Sequence, residues 1–202
     1  MAYERKDAFY KRAKREGYRS RAAFKLAEIQ RRTRVLARGQ RVLDLGAWPG
    51  GWLQVAAEHV GRQGRVVGVD LAAIDALAEP HVEVLRADVA ADDLPARALS
   101  LLGGPADVVL SDLAPKLTGI APRDDAAAAE LAEHTLRIAD AVLAPGGALV
   151  AKTFGGADGE AVRRALAERF RSVRLIRLEA TRKGSSELYL VATGRRGPAA
   201  AP

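Results

Sequence analysis

Short apolar runs alternate along this chain with longer stretches in which apolar residues recur at helical spacing. Strand-like runs fall at Arg41–Leu45, Val66–Val69, Val82–Leu85, Val108–Leu110, Ala148–Ala151, Val173–Leu178 and Leu188–Ala192. Runs this short, rich in Val and Leu and separated by helical or loop segments, predict a doubly wound α/β domain on a seven-stranded, mostly parallel sheet. Only Ala180–Ser185 separates the last two runs. That is too short for a parallel crossover, so the final strand is expected to run antiparallel to its neighbour. Ser20 is placed to cap a helix carrying Ala23, Phe24, Ala27 and Ile29, and a longer helix is expected over Asp125–Leu143, closed by Pro145-Gly146-Gly147. Between Ser111 and Asp124 lies a loop with two prolines, and its place after a strand makes it an expected substrate wall.

The run Val42-Leu43-Asp44-Leu45-Gly46-Ala47-Trp48-Pro49-Gly50-Gly51-Trp52 empties an apolar strand into a glycine-rich loop where a helix can begin. Such loops bind nucleotide-like cofactors in open α/β sheets. The spacing is neither G-x-G-x-x-G nor the phosphate-cradling G-x-x-x-x-G-K-[ST], because Trp52 stands where a lysine would follow. Asp44 would repel a pyrophosphate but can pair with an ammonium or sulfonium, which favours S-adenosylmethionine; the plainer reading is a tight turn with no ligand. Asp70 and Asp88 end the second and third strand-like runs. One carboxylate there can accept from ribose hydroxyls and the other from an adenine amino group. Seven strands with one reversed, behind such a loop, fit a Rossmann-like S-adenosylmethionine-dependent methyltransferase fold better than a dinucleotide fold.

The length of 202 residues and 49% hydrophobic content allow one sizeable core. The expected division is a basic arm over 1–19, a single domain over 20–194 and a disordered tail over 195–202. With no cysteine, disulfides and thiolate metal sites are excluded. No apolar run reaches membrane-spanning length and the N-terminus has no signal-peptide pattern, so a cytoplasmic protein is expected. His59, His81 and His134 are dispersed without metal spacing, and no metal site is expected. The net charge of +7 conceals an asymmetry: residues 1–41 hold fourteen Lys and Arg against four Asp and Glu, leaving the remainder about three units negative. A basic end on a mildly acidic domain is the footprint of a polyanion partner, with nucleic acid first; a merely solvated charged helix is the alternative.

Two further ionisable residues stand where buried strands should end, Asp112 after Val108–Ser111 and Lys152 after Ala148–Ala151. Glu187 opens the last strand and Lys25 lies on the first capped helix. Two lysines and two acids on four elements can converge on one crevice, though spacing alone does not show that they do. Nearby acids favour the charged form of Lys152 and a second lysine favours its neutral form, so a base and an orienting cation both remain open.

At these residues the chain resembles the FtsJ/RrmJ family of ribosomal RNA large-subunit methyltransferases, nearly end to end. The resemblance is carried by Tyr18–Leu26, the Asp44–Trp52 loop, Ser111-Asp112-Leu113-Ala114-Pro115, Val150-Ala151-Lys152 and Glu187–Gly194. It implies S-adenosylmethionine-dependent 2′-O-methylation of a uridine in large-subunit ribosomal RNA on the assembled subunit, by a monomer without membrane or DNA partners. It also implies that Lys25, Asp112, Lys152 and Glu187 form a catalytic tetrad with Lys152 as proton acceptor, and that Gly50, Trp52, Asp70, Asp88 and Asp112 contact the cofactor. The chain departs from the family at Trp48, where a small residue is usual, and at Lys116, where a neutral one is commoner. Transfer RNA as substrate, and a non-catalytic RNA-binding assembly protein, are the alternatives; a small-molecule or protein methyltransferase would have no use for the basic arm.

Overall fold

A computed structural model describes residues 8–115, 118–181 and 185–197. Its elements are α1 (Ala8–Arg15), α2 (Ala23–Thr33), β1 (Arg41–Leu45), α3 (Gly51–Val60), β2 (Arg65–Asp70), β3 (Val82–Arg86), α4 (Leu94–Leu102), β4 (Ala106–Ser111), α5 (Ala121–Val142), β5 (Leu143–Phe154), α6 (Ala157–Arg169), β6 (Phe170–Ile176) and β7 (Glu187–Arg195). The seven strands form one sheet in the order β3-β2-β1-β4-β5-β7-β6. Strands β1 to β5 pair in parallel, whereas β7 runs antiparallel to both β5 and β6. This is the doubly wound, Rossmann-like arrangement expected from the strand pattern.

Alternation along the strands divides the core into two faces. Val42, Val108, Leu110 and Val150 pack with Ala23 and Leu26 of α2 and with Leu53 and Val55 of α3. Leu43, Leu45, Val67, Val109 and Leu149 pack on the other side with Leu94, Ile138 and Leu166 of α4, α5 and α6. Central strands buried on both faces explain why their sequences read as apolar runs rather than as alternating patterns. The chain leaves β1 for β2 on one side and reaches β4 on the other, so a crevice opens beyond the carboxyl ends of β1 and β4.

Several boundaries differ from the sequence expectation. Ser20 is not a helix cap: α2 begins three residues later with Ala22 at its N-cap, because Arg21 and Ala22 form a turn in which the Ala23 amide donates to the Ser20 carbonyl. Helix α5 starts four residues early, since Pro122 is tolerated in a first turn where no amide is needed. Pro145-Gly146-Gly147 does not follow the helix as a free stop signal but lies inside β5, with a register shift against β4. The β6 strand begins at Phe170 and ends at Ile176, three residues earlier at its start and two at its end than expected, because Phe170 and Ile176 supply its buried positions. The residues for which a disordered tail was expected overlap β7 at Arg195, and 198–202 lie outside the described residues.

Candidate active site

The antiparallel return of β7 sets the chemistry. Because β7 runs against β5, Glu187 at its start pairs in register with Phe154, and Tyr189 pairs with Lys152 near the end of β5. Asp112 follows β4 directly and is tethered there, its amide donating to the Leu45 carbonyl at 3.2 Å. From above, α2 contributes Lys25. The four charged residues named from the sequence therefore meet. Lys25 Nζ lies 2.6 Å from Glu187 Oε1 and 4.0 Å from Asp112 Oδ1. Lys152 Nζ donates to the Asp112 carbonyl at 2.6 Å and to Asp112 Oδ1 at 3.1 Å. Two cations and two anions in one buried cluster offset each other's desolvation, which an isolated Lys152 side chain, 6% exposed, would not survive.

A fifth group sits at the centre. The Tyr189 hydroxyl lies 2.7 Å from Asp112 Oδ1 and 2.9 Å from Glu187 Oε1, and accepts from Lys25 Nζ at 3.2 Å. Burial, and then the Asp112 and Glu187 carboxylates, push the phenol far above its usual range, so it stays a neutral donor. Its single proton serves one carboxylate at a time and couples the two acid–lysine pairs. Tyr189 was not singled out from the sequence, yet a signal existed: it lies two positions after Glu187 on a strand and hence on the same face. Removing the hydroxyl in Tyr189→Phe should keep the packing against Trp52, whose ring centroid is 5.9 Å away, and cost ~1.5–3 kcal/mol, the range for hydrogen bonds to charged groups. Urea denaturation measures this; unchanged stability would mean that the phenol contributes nothing to the cluster.

On the other side of β1 the glycine loop turns into α3. Gly46 and Gly50 both have positive φ, +78° and +109°, where a side chain would be strained. A Cβ on Gly46 would also come within 2.9 Å of the Leu113 side chain. Asp44 is fully buried and neither of its carboxylate oxygens has a hydrogen-bond partner among the described residues. An orphaned acid beneath a glycine loop fits a cofactor that brings its own cation, and no such acid is needed for a bare turn. Asp70 closes β2 and Asp88 stands two residues after β3. Asp70 accepts the Trp48 amide at 2.9 Å and the Ala72 amide at 2.8 Å; Asp88 accepts the Ala90 amide at 2.9 Å. Each carboxylate is thereby oriented and retains lone pairs for hydroxyl or amino donors.

Trp52 stands behind this surface rather than on it. Its ring is 3% exposed and its indole N–H donates to the Ala22 carbonyl at 2.8 Å. Gly50 packs against the Arg19 side chain, whose guanidinium donates to the carbonyls of Pro49 at 3.4 Å, Asp75 at 2.5 Å and Ala76 at 2.7 Å. Arg19 thus ties the glycine loop to the connection after β2, a role that nothing in its sequence context announces. A cavity of about 260 Å³ lies beside Lys152, walled by Leu113 and Pro115 of the loop after β4 and by Leu131, Leu149, Phe154 and Leu166. The expected substrate wall borders it, while Lys116 lies outside the described residues.

Residues 18–195 match the FtsJ-like methyltransferase family. The chain is 46% identical over 198 residues to the ribosomal RNA large subunit methyltransferase E of Myxococcus xanthus, covering 98% of this chain and 93% of that protein. It is likewise 46% identical to the protein of that name from Syntrophobacter fumaroxidans, covering 95% of this chain and 96% of that one. Among solved structures, a ribosomal RNA methyltransferase of Plasmodium falciparum superposes with a TM-score of 0.78 at 26% identity, over 90% of this chain and all of that one. Aeropyrum pernix fibrillarin, at 15% identity and TM-score 0.57, shares the fold over 79% of this chain and 68% of its own. With the glycine loop, the strand-end acids and the lysine–carboxylate cluster in place, the chain belongs to the FtsJ-like methyltransferase family, enzymes whose methyl donor is S-adenosylmethionine.

Proposed function

We propose that this enzyme methylates the ribose 2′-hydroxyl of a uridine in large-subunit ribosomal RNA, with the assembled large subunit as its substrate. The observation that carries the reading is Lys152, held at 2.6 and 3.1 Å by Asp112 inside a buried cluster next to the glycine loop. When bound, S-adenosylmethionine supplies an electrophilic methyl group. What the chain must add is alignment of a weakly nucleophilic hydroxyl and management of its proton. Lys152 directs two of the three hydrogen-bonding positions on Nζ to Asp112, leaving one for a substrate oxygen. Glu187 and Lys25, joined through Tyr189, keep Asp112 in place. Oriented by the Trp48 and Ala72 amides, Asp70 would hold the cofactor ribose, Asp88 the adenine edge and Gly50 the close backbone approach. Asp112 would serve both halves. A 2′-hydroxyl acceptor restricts the substrate to RNA, and the names of the relatives point to ribosomal RNA.

The basic segment 1–19 would hold that RNA by its phosphates. Within it α1 packs on the domain through Ala13 and through Arg12, whose guanidinium lies 4.6 Å from the centre of the Phe24 ring. Lys11, Lys14 and Arg15 stay exposed. Truncating α1 would uncover Phe24, so neutralising these three residues with glutamine isolates charge from packing. Each lost phosphate contact should flatten the log–log salt dependence of RNA binding by ~0.7–0.9. An unchanged slope would make α1 a solvated face.

Among the described residues no helix is long and apolar enough to cross a membrane. The reading has the enzyme working as a monomer in the cytoplasm. Radiolabelled S-adenosylmethionine offered with free transfer RNA, free ribosomal RNA and undermethylated large subunits tests it. The expected product is a 2′-O-methyluridine in the large-subunit RNA, made fastest on the particle; label confined to transfer RNA, or on a base, would overturn it.

A further inference from the structure

Among the described residues, large apolar side chains stand exposed at Tyr10, Trp48, Leu71, Ile120 and Leu175. Trp48, Leu71 and Ile120 occupy the connections after β2's neighbour β1, after β2 itself and after β4, along the edge where the crevice opens. Trp48 is the largest of them and 60% exposed, whereas Trp52, four residues on, is 3% exposed and serves the core.

The backbone that carries Trp48 is held firmly. The Gly46 and Ala47 amides both donate to the Val69 carbonyl, at 2.9 and 3.1 Å, and the Gly50 amide donates to the Ala47 carbonyl at 2.7 Å. The Trp48 amide itself is fixed on Asp70 Oδ2 at 2.9 Å, and the carbonyl of Pro49 accepts from Arg19. In the sheet, β1 lies between β2, which ends at Asp70, and β4, which leads to Asp112. A wide aromatic face is therefore presented to solvent from an ordered loop between the cofactor acids and the lysine cluster.

We infer that Trp48 is a stacking platform for a nucleobase of the RNA strand flanking the methylated nucleotide. The inference rests on the RNA reading above and adds a base-binding subsite to it. The basic end of the chain supplies cations for phosphates but, among the described residues, only Tyr10 as an exposed aromatic, at 39% against 60% for Trp48: Phe24 is buried, and Phe9 and Tyr18 pack against the small core of Ala13, Phe24 and Ala180. A strand drawn to that end by charge needs a π-face to hold its unpaired bases, and stacking accepts any base. Little conformational freedom is lost when the platform is already ordered.

The two tryptophans make the test direct, because the exposed ring dominates any change in emission when a ligand covers it. Cofactor-free protein titrated with a short single-stranded oligouridylate should lose Trp48 emission as the RNA binds. An abasic ribose-phosphate strand of equal length should bind through its phosphates without quenching. Trp48→Ala should bind the oligouridylate about five- to a hundredfold more weakly, the range for losing one stacked base, and Trp48→Phe should recover most of that loss. RNA binding by filter retention with unchanged emission would overturn the platform and leave the RNA reading intact. Quenching by S-adenosylhomocysteine alone, with none added by oligouridylate, would assign the ring to the cofactor instead. Failure of every RNA to bind would overturn both.

Discussion

Lys152→Ala is expected to yield a folded enzyme that binds cofactor and RNA yet transfers methyl at least ~100-fold more slowly, the lower end of what a positioned acid–base group contributes. Folding should survive because Asp112 keeps the Tyr189 hydroxyl at 2.7 Å and Lys25 at 4.0 Å when Lys152 is removed. The buried carboxylate is thus not left wholly unpaired, which is what makes deletion of one partner ruinous in simpler ion pairs. Lys152→Arg separates two roles. Arginine keeps the charge but does not release a proton in a protein. If Lys152 accepts the proton of the 2′-hydroxyl, the arginine variant is as slow as the alanine one; if it orients and stabilises the developing alkoxide, much of the rate returns. Single-turnover methyl transfer at saturating RNA measures this. Turnover by Lys152→Ala close to the parent rate would remove the residue from the chemistry.

The pattern of apolar runs was enough to place every strand and the reversal of the last one, because buried strands must be apolar and a short connection leaves the chain no room for a crossover. Boundaries were less legible where two local signals compete. At Pro145-Gly146-Gly147 the turn chemistry is real, since Gly146 has φ +82°, but β4 pairs with Leu143 before it and with Ala148 after it, so the segment becomes an irregularity within one strand. Ser20 has the right side chain for a cap and the wrong backbone, since two more residues turn before α2 begins.

The site shows a similar division. Asp112 and Lys152 could be picked out because a charge at the end of an apolar run is costly unless it is paired, whereas Lys25 on its helix and Glu187 at the start of the last strand were joined to them by the family resemblance. Their meeting depends on register between β5 and β7 and on how α2 lies over them, neither of which is written locally. Tyr189 was hidden by looking like an ordinary aromatic strand residue. Arg19 was hidden among fourteen cations in the first 41 residues; what distinguishes it is three carbonyls, all supplied by segments distant in sequence. Trp52 was legible as a member of the loop but not as its buried side, because the sequence marks where α3 begins and not which way its first turn faces.

Asp44→Asn should make the cofactor-free enzyme more stable and its cofactor complex weaker. The carboxyl is buried in β1, in register with Gly68 of β2 and Leu110 of β4, with no partner for either oxygen among the described residues. Burial first, and then the Asp112 and Asp70 carboxylates, raise it well above the ordinary aspartate range. In the unfolded chain it ionises near the ordinary value, about 4. Between that pH and the higher folded value the native state binds the extra proton, so stability falls as pH rises through this window. Asparagine removes that dependence. It should stabilise the cofactor-free chain at neutral pH, because the amide is as unpartnered as the carboxyl but carries no charge to desolvate, and flatten the fall of stability between mildly acidic and neutral pH. The same substitution deletes the anion proposed to pair with the cofactor's cationic end, so S-adenosylmethionine affinity should drop by ~1.5–3 kcal/mol, the range for hydrogen bonds to charged groups. Urea titrations across pH and calorimetric cofactor binding read the two effects separately. A variant with unaltered pH dependence would mean that Asp44 is solvated or paired in solution, and one that binds S-adenosylmethionine as tightly as the parent would take the carboxylate out of the cofactor site.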